Sequence, residues 1–515
     1  LLPGGGIWMN TQRPEWNDAN NALVGWGLSM VTVCYLRRYL VFLLSVLSDT
    51  GPAETVPLTS TTADFLASIS DILARFRSSL ACADDRERSA FLEACGLAGE
   101  RHREAVYSGE FGLEQTSVPI TKIRETFSLC IEYLDRTIRD NRRKDGLYHS
   151  YNIMIPCEGG IRIGRLDEML EGQVAVLSSG LLSAAEADEL LYALRHSRLY
   201  RDDQRSYMLY PDKDLPRFLE KNLIPAEAVL RSPFLQREAG NKSDAIIKRD
   251  QDGGYYFNSS FRNSRFLAEA LDEAASEQGM VLSTEERAYI VNLYEEVFSH
   301  KTFTGRSGTF FKYEGLGSIY WHMVSKLLVA VQENYFLAAE DGAPRQLLDS
   351  LAGYYHHVRE GLGIHKTSAE YGAFPVDPYS HTPGFAGVQQ PGMTGQVKED
   401  IIARYGELGV GVLDGKIRFK PRLLQPHEFL SEETILTYMD LSGKWSELRI
   451  PAKALAFTCC SVPVLYRLAD EARVHVFLSD DTIRAFEGSE ADHELSSELF
   501  YRTGRIQRIE VDVVL

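Results

Sequence analysis

The sequence predicts a mainly α protein, a helical barrel followed by a small all-β domain. Helical periodicity dominates residues 22–410, long polar and aromatic loops separate the periodic stretches, and short alternating runs replace this pattern after Gly409. A chain of 515 residues is too long for one compact core. We therefore place a domain boundary near residue 410, with the helical barrel portion at 1–410 and a β-sandwich-like cap at 411–515.

The helical elements are predicted from apolar residues spaced three or four apart. This spacing runs through 120–138 and through 316–331. An earlier apolar run, 23–47, holds Arg37 and Arg38 in its middle. Each arginine would cost roughly 2.5–3.5 kcal/mol at the centre of a bilayer. We therefore interpret this run as a buried helix of a large helical domain and expect no membrane partner.

Long loops join the predicted helices, and they carry many Tyr, His, Asn, Arg and Asp residues. Loops of this length within a compact domain are usually functional. Their number predicts an active site built on loops at one end of the barrel. The loops are 143–165, 201–216, 251–263, 301–315 and 361–393.

Short runs of alternating apolar and polar residues predict the strands of the C-terminal domain. In 509–513, Val511 and Val513 alternate with Glu510 and Asp512. This period of two is typical of half-buried strands.

Charge and composition exclude several classes of partner. The net charge of −17 argues against nucleic acid and anionic membranes, because both need a positive surface. The seven cysteines are scattered without metal-binding spacing, as reduced thiols of a cytoplasmic protein are. The sequence holds no P-loop, no HExxH and no GxSxG motif. We expect neither a metal nor an organic cofactor.

The first candidate site is the segment 14–21, before the long apolar helix. A sugar site needs a carboxylic acid at the leaving oxygen, an aromatic ring against the sugar's C–H surface and amides for its hydroxyls. Glu15, Trp16, Asn17, Asp18 and Asn20 supply these groups within six residues. The alternative is a polar N-cap, with Asp18 or Asn20 capping the following helix.

Trp16-Asn17-Asp18, with Asn21 and Gly25 after it, resembles the WND segment of cellobiose phosphorylase and its inverting relatives. The resemblance implies that Asp18 is the general acid and that Trp16 holds a sugar ring. It also implies a six-hairpin (α/α)6 barrel with a β-sandwich and several barrel helices upstream of Leu1, so we expect the barrel portion in this sequence to be incomplete at its N-terminus.

The sequence departs from this family just before the motif. Arg13-Pro14-Glu15 stands where the family commonly has Gly-Asp. This position borders the sugar, so we assign Arg13 and Glu15, together with Asn17, to substrate binding and leave the identity of the sugar open.

The second candidate is Thr394-Gly395, which opens a predicted helix. Free N–H groups at a helix N-terminus bind anions. The resemblance implies that this pair holds the attacking phosphate with a histidine from another loop, and His365 or His381 is the candidate. The alternative is plain helix capping by Thr394.

The same loop offers two carboxylates, Glu370 and Asp377. In an inverting hydrolase on the same barrel, one of them would be the base that activates water. A third reading, from a different class, is a carbohydrate-binding or scaffold protein that has lost its chemistry.

Three further residues complete the predicted rim. Glu314 lies where a loop meets a helix and is assigned to sugar binding, with stabilisation of the helix dipole as the alternative. Tyr148 and His149 belong to an aromatic and amide-rich loop, which is typical of sugar subsites but also of structural plugs. His322, a few residues after Glu314, is interpreted as a core residue of the helix.

These observations together predict an inverting glycoside phosphorylase that attacks an oligosaccharide or polysaccharide with inorganic phosphate. The partner is the carbohydrate substrate, with no nucleic acid and no membrane, and a homodimer is compatible with the sequence.

Overall fold

The computed structural model describes most of the chain as two compact units. Unit 1 comprises Leu1–Trp8, Trp26–Leu209 and Ile319–Leu515, and unit 2 comprises Met9–Gly25 and Tyr210–Ser318. The described residues are 1–9, 23, 25–48, 51, 54–78, 83–109, 114–211, 222–241, 244–298, 319–362 and 397–514.

Helices occur in both units. In chain order they are α1 (Met30–Ser48), α2 (Ser60–Phe76), α3 (Asp85–Tyr107), α4 (Ile120–Asp140), α5 (Leu170–Ser178), α6 (Ala184–Arg195), α7 (Ala226–Arg231), α8 (Pro233–Asn241), α9 (Ser264–Glu277), α10 (Thr284–Phe298), α11 (Trp321–Glu340), α12 (Arg345–Glu360), α13 (Val397–Glu407) and α14 (His493–Phe500).

The strands are distributed along the whole chain. They are β1 (Ile7–Trp8), β2 (Gly27–Ser29), β3 (Thr55–Thr59), β4 (Gln115–Pro119), β5 (Tyr151–Cys157), β6 (Gly160–Arg165), β7 (Tyr200–Arg201), β8 (Ser206–Tyr207), β9 (Leu223–Ile224), β10 (Ile247–Arg249), β11 (Tyr255–Phe257), β12 (Val410–Leu413), β13 (Lys416–Phe419), β14 (Thr434–Met439), β15 (Trp445–Ile450), β16 (Ala454–Cys459), β17 (Val462–Leu468), β18 (Arg473–Leu478), β19 (Ile483–Glu487) and β20 (Ile506–Val513).

The predicted fold class, a mainly α toroid-type barrel with a small β domain, is wrong. The described residues are about 49% helical and 24% strand, and they form seven sheets. One four-stranded sheet, in the order β1-β2-β5-β6, lies inside the region predicted to be helical. Its hairpin β5–β6 was expected as a loop, because two short strands around a glycine turn give too few residues to show a period.

The helices α1 and α5 of unit 1 run side by side in the same direction. Their N-terminal ends meet at Ser150, whose carbonyl accepts the Met30 N–H and whose hydroxyl accepts the Gly172 N–H. At the other end of α5, Arg37 of α1 donates to the carbonyl of Ser179. The contacts at Ser150 and at Ser179 follow one another in the same order along both helices. The N-termini of α1 and α5 therefore lie next to each other.

The helices α11 and α13 form a second such pair. His322 of α11 lies beside Glu399 of α13, and further along Gln332 donates to the Ala403 carbonyl at 2.8 Å. The helix α5 also packs against α11, where Asn334 donates to the Leu177 carbonyl. The first turns of α11 and α13 are therefore neighbours.

The helix α1 has an exposed apolar side, although its sequence predicted a buried helix. Tyr39 and Phe42 are 57% and 59% exposed. By length and composition alone α1 is a candidate membrane span, which is weak evidence, since core helices pass the same test. Arg37 pairs with Asp135, and Arg38 is bidentate with Glu333, so the helix is anchored to α4 and α11.

The C-terminal strands begin directly after α13. Gly409, with a φ of +67°, makes the turn, and a Cβ there would lie 2.0 Å from the carbonyl carbon of Lys420. The main sheet has the order β16-β17-β20-β18-β19 and packs against α14. The predicted boundary near 410 falls at this junction, and the division into two domains there stays a prediction.

Unit 2 has a core of its own. The three-stranded sheet β10-β11-β9 packs with α7 to α10 around Phe234, Leu271, Ile290 and Tyr294. In unit 1, the residues on either side of this insertion are paired, because Met208 and Ile319 form an antiparallel bridge.

Candidate functional site

Most of the residues predicted to form the site lie outside the described residues. Two of them, Tyr148 and His149, are described, and so are the helices α11 and α13 that follow the predicted site loops. The predicted site residues outside the described part are Arg13, Glu15, Trp16, Asn17, Asp18, Glu314, His365, Glu370, Asp377, His381, Thr394 and Gly395.

Tyr148 is placed in the interior and is 3% exposed. Its N–H donates to the side-chain oxygen of Gln173 at 2.8 Å, and the Gln173 amide donates back to its carbonyl at 2.8 Å. This reciprocal pair fixes the loop against the first turn of α5. Burial raises the pKa of the phenol. A role of Tyr148 in substrate binding stays a prediction.

His149 is half-buried, and its ring is held by one hydrogen bond. Nδ1 donates to the Leu166 carbonyl at 2.9 Å. Desolvation by burial is the main cause that lowers the pKa of the imidazole. A neutral ring that donates through Nδ1 presents Nε2 as an acceptor, which suits a sugar hydroxyl.

Ser150 connects this loop to two helix N-termini. Its hydroxyl accepts the Gly172 N–H at 2.8 Å and donates to the Met169 carbonyl, and its carbonyl accepts the Met30 N–H at 3.0 Å. Glycine is required at 172, because a Cβ there would lie 2.2 Å from the Ser150 hydroxyl oxygen.

The substitution Gly172→Ala is expected to destabilise unit 1 by about 1–3 kcal/mol, the usual cost of overpacking. Thermal unfolding followed by circular dichroism would measure it. The matched control is Gly96→Ala in α3, where a Cβ meets no atom within 4 Å. That control should be neutral or stabilising, since alanine is the better helix former. Equal melting temperatures for the two variants would contradict the close contact at Ser150.

The first turns of α11 and α13 bring together a histidine and a buried carboxylate. His322 Nε2 lies 3.6 Å from Glu399 Oε1, and Lys398 Nζ lies 3.8 Å from the same oxygen. Glu399 is 6% exposed. Glu399 Oε2, His322 Nε2 and the hydroxyl of the buried Ser325 are without a hydrogen bond in the part of the chain that the structure describes.

Two lysines lie close enough to His322 to act on its charge. Burial is the main cause that lowers the pKa of His322, Lys326 and Lys398 lower it further, and Glu399 opposes them. Helix N-termini add partial positive charge and free N–H groups. We call His322, Ser325, Lys326, Lys398 and Glu399 the α11/α13 cluster. It combines an imidazole, two ammonium groups and one buried carboxylate.

From the sequence, His322 is interpreted as a core residue and is not assigned to the site. The periodic stretch 316–331 placed it in the interior of a helix, whereas α11 begins at Trp321 and His322 lies in its first turn. A sign in the sequence was its position shortly after Gly315 and Gly317, since glycines often mark turns and loops between periodic segments.

A second buried carboxylate, that of Glu168, has ion-pair partners. Glu168 precedes α5, and its oxygens are paired with Arg143 at 3.1 Å and Arg198 at 2.7 Å. Such a pair holds a loop in place. Among the described residues no group of three or more His, Cys, Asp or Glu side chains is arranged to hold a metal ion.

Comparison with known proteins assigns part of the chain to a carbohydrate-active class. Residues 215–301 match the family model of the GH149 phosphorylase insertion domain 2. This segment lies within Tyr210–Ser318 of unit 2. No curated protein matches the chain. The match supports a glycoside phosphorylase-like enzyme of the GH149 type.

Proposed function

We propose, from the match of residues 215–301 to a GH149 phosphorylase domain, that the protein is an inverting glycoside phosphorylase. It cleaves a glycosidic bond of an oligosaccharide and transfers the glycosyl group to inorganic phosphate. The observation that carries this proposal is the match itself, and the WND segment at Trp16-Asn17-Asp18 is consistent with it.

In the proposed reaction, Asp18 is the general acid. A phosphate oxygen attacks the anomeric carbon from the face opposite the leaving group. The bond between the anomeric carbon and the leaving oxygen breaks. The leaving oxygen keeps the electron pair of that bond and accepts the proton of Asp18. The products are a sugar 1-phosphate of inverted configuration and a shortened oligosaccharide. We assign Arg13, Glu15, Trp16 and Asn17, with Glu314, Tyr148 and His149, to holding the sugar.

We place the phosphate at the start of α13, which begins at Val397, shortly after Thr394-Gly395. We add His322 as a source of the imidazole, beside His365 and His381. The α11/α13 cluster supports this addition, because His322 Nε2 lies 3.6 Å from Oε1 of Glu399 in the first turn of α13. No metal or organic cofactor enters the proposed reaction, and phosphate is the co-substrate.

The experiment that tests the proposal incubates the protein with gluco-oligosaccharides, with and without inorganic phosphate. Phosphorus NMR is expected to show a sugar 1-phosphate in the presence of phosphate. The H1–H2 coupling in its proton spectrum gives the anomeric configuration, which is compared with that of the substrate to detect inversion. Free reducing sugar released at the same rate without phosphate would contradict the proposal. That result would indicate a hydrolase with Glu370 or Asp377 as its base.

A further inference from the structure

The buried carboxylate of Glu399 is at odds with a site for an anion. Glu399 is 6% exposed, and its Oε2 has no hydrogen bond in the described part of the chain. A buried carboxylate is costly to maintain unless its oxygens are hydrogen-bonded. It also repels any anion drawn by the lysines and by the helix N-termini. A carboxylate in this position therefore needs a ligand that donates a hydrogen bond to it.

The common inorganic oxyanions differ in this property. At neutral pH, phosphate and arsenate retain at least one O–H group, whereas sulfate has none. A carboxylate accepts hydrogen bonds only, so it can bind an O–H of hydrogen phosphate but can only repel sulfate. His322 and the two lysines of the α11/α13 cluster carry the N–H donors that the unprotonated oxygens of either anion require.

We propose that Glu399 selects the anion: its free Oε2 accepts a hydrogen bond from a protonated oxyanion and so admits phosphate or arsenate and rejects sulfate. His322 and Lys398, on the side of Oε1, hold the carboxylate in place. The proposal rests on the proposed function, because it concerns the co-substrate of that reaction. Glu399 is here a specificity-determining residue and takes no part in proton transfer to the sugar.

Isothermal titration calorimetry of the whole chain with sodium phosphate, arsenate and sulfate at pH 7.5 tests the proposal without turnover. The wild type is expected to bind phosphate and arsenate with similar affinity and sulfate at least tenfold more weakly. In Glu399→Gln the ratio of phosphate affinity to sulfate affinity should fall by tenfold or more, because the glutamine amide can donate a hydrogen bond to sulfate. Lys326, whose charge acts on His322, provides the matched control: Lys326→Gln should weaken the binding of all three anions and leave the ratio unchanged.

Wild-type protein that binds no anion, or that binds sulfate as tightly as phosphate, would overturn the proposal. An unchanged ratio of phosphate affinity to sulfate affinity in Glu399→Gln would overturn it as well. The wild-type comparison needs no variant, so it decides even if Glu399→Gln does not fold. Failure of the proposed function is distinct, since it would appear as selective phosphate binding without any sugar 1-phosphate. Phosphorolysis with an unselective site would reject the role of Glu399 alone.

Discussion

Replacement of Asp18 by asparagine is expected to lower kcat for phosphorolysis of an oligosaccharide by about 10²–10⁴-fold, the usual contribution of a general acid. Asparagine keeps the size and polarity of the side chain but has no acidic proton to give to the leaving oxygen. Steady-state release of sugar 1-phosphate measures the effect, and circular dichroism of the variant checks the fold.

A glycosyl fluoride provides the control, because fluoride leaves without needing a proton. The Asp18→Asn variant should use the fluoride with a much smaller loss than the oligosaccharide. Equal losses on both substrates would indicate that Asp18 binds or positions the sugar. Normal turnover of the oligosaccharide would remove the proposed acid altogether.

The substitution Glu407→Ala is expected to destabilise unit 1 by about 3–5 kcal/mol, the typical cost of breaking a buried ion pair on one side. Glu407 is 1% exposed and accepts from Tyr355 at 2.6 Å, from Arg359 at 2.9 Å and from Arg404 at 2.6 Å. Its removal leaves two guanidinium groups and a phenol facing a gap. Urea denaturation, followed by fluorescence, would measure the loss.

The matched control for this prediction is Glu433→Ala. Glu433 pairs with Arg449 at 2.7 Å, but both side chains are at least half exposed. Exposed pairs contribute about 0–1 kcal/mol. If the two variants unfold at the same urea concentration, the network around Glu407 is not holding α12 and α13 together.

The long, amphipathic helices of the core could be predicted from the sequence. The stretch 120–138 lies within α4, whose buried residues follow the predicted spacing. The strands β14 to β20 likewise follow the predicted change of pattern after Gly409. Both are cases in which burial of one side imposes a period on many residues.

The fold class could not be predicted from the sequence, because short strands contain too few residues to show a regular alternation of apolar and polar side chains. The antiparallel pair β3–β4 joins Thr55–Thr59 to Gln115–Pro119, and these segments are too far apart in the sequence for a local pattern to predict their pairing. The same limit applies to His322, because its position in the first turn depends on where α11 begins. A helix boundary is set by capping and tertiary contacts as much as by apolar spacing. The contact of His322 with Glu399 spans 77 positions, from 322 to 399, and no local rule predicts it.

The bridge between Met208 and Ile319 bears on the order in which the chain folds. In polymer terms, the residues between them are a loop that unit 1 must close. The entropy of closure grows with the logarithm of length, so that each doubling adds only about 0.6 kcal/mol. An insertion with its own core can fold first, which leaves unit 1 a more compact segment to close. The loop then behaves as a short one, and the surrounding unit tolerates a whole extra module at small thermodynamic cost.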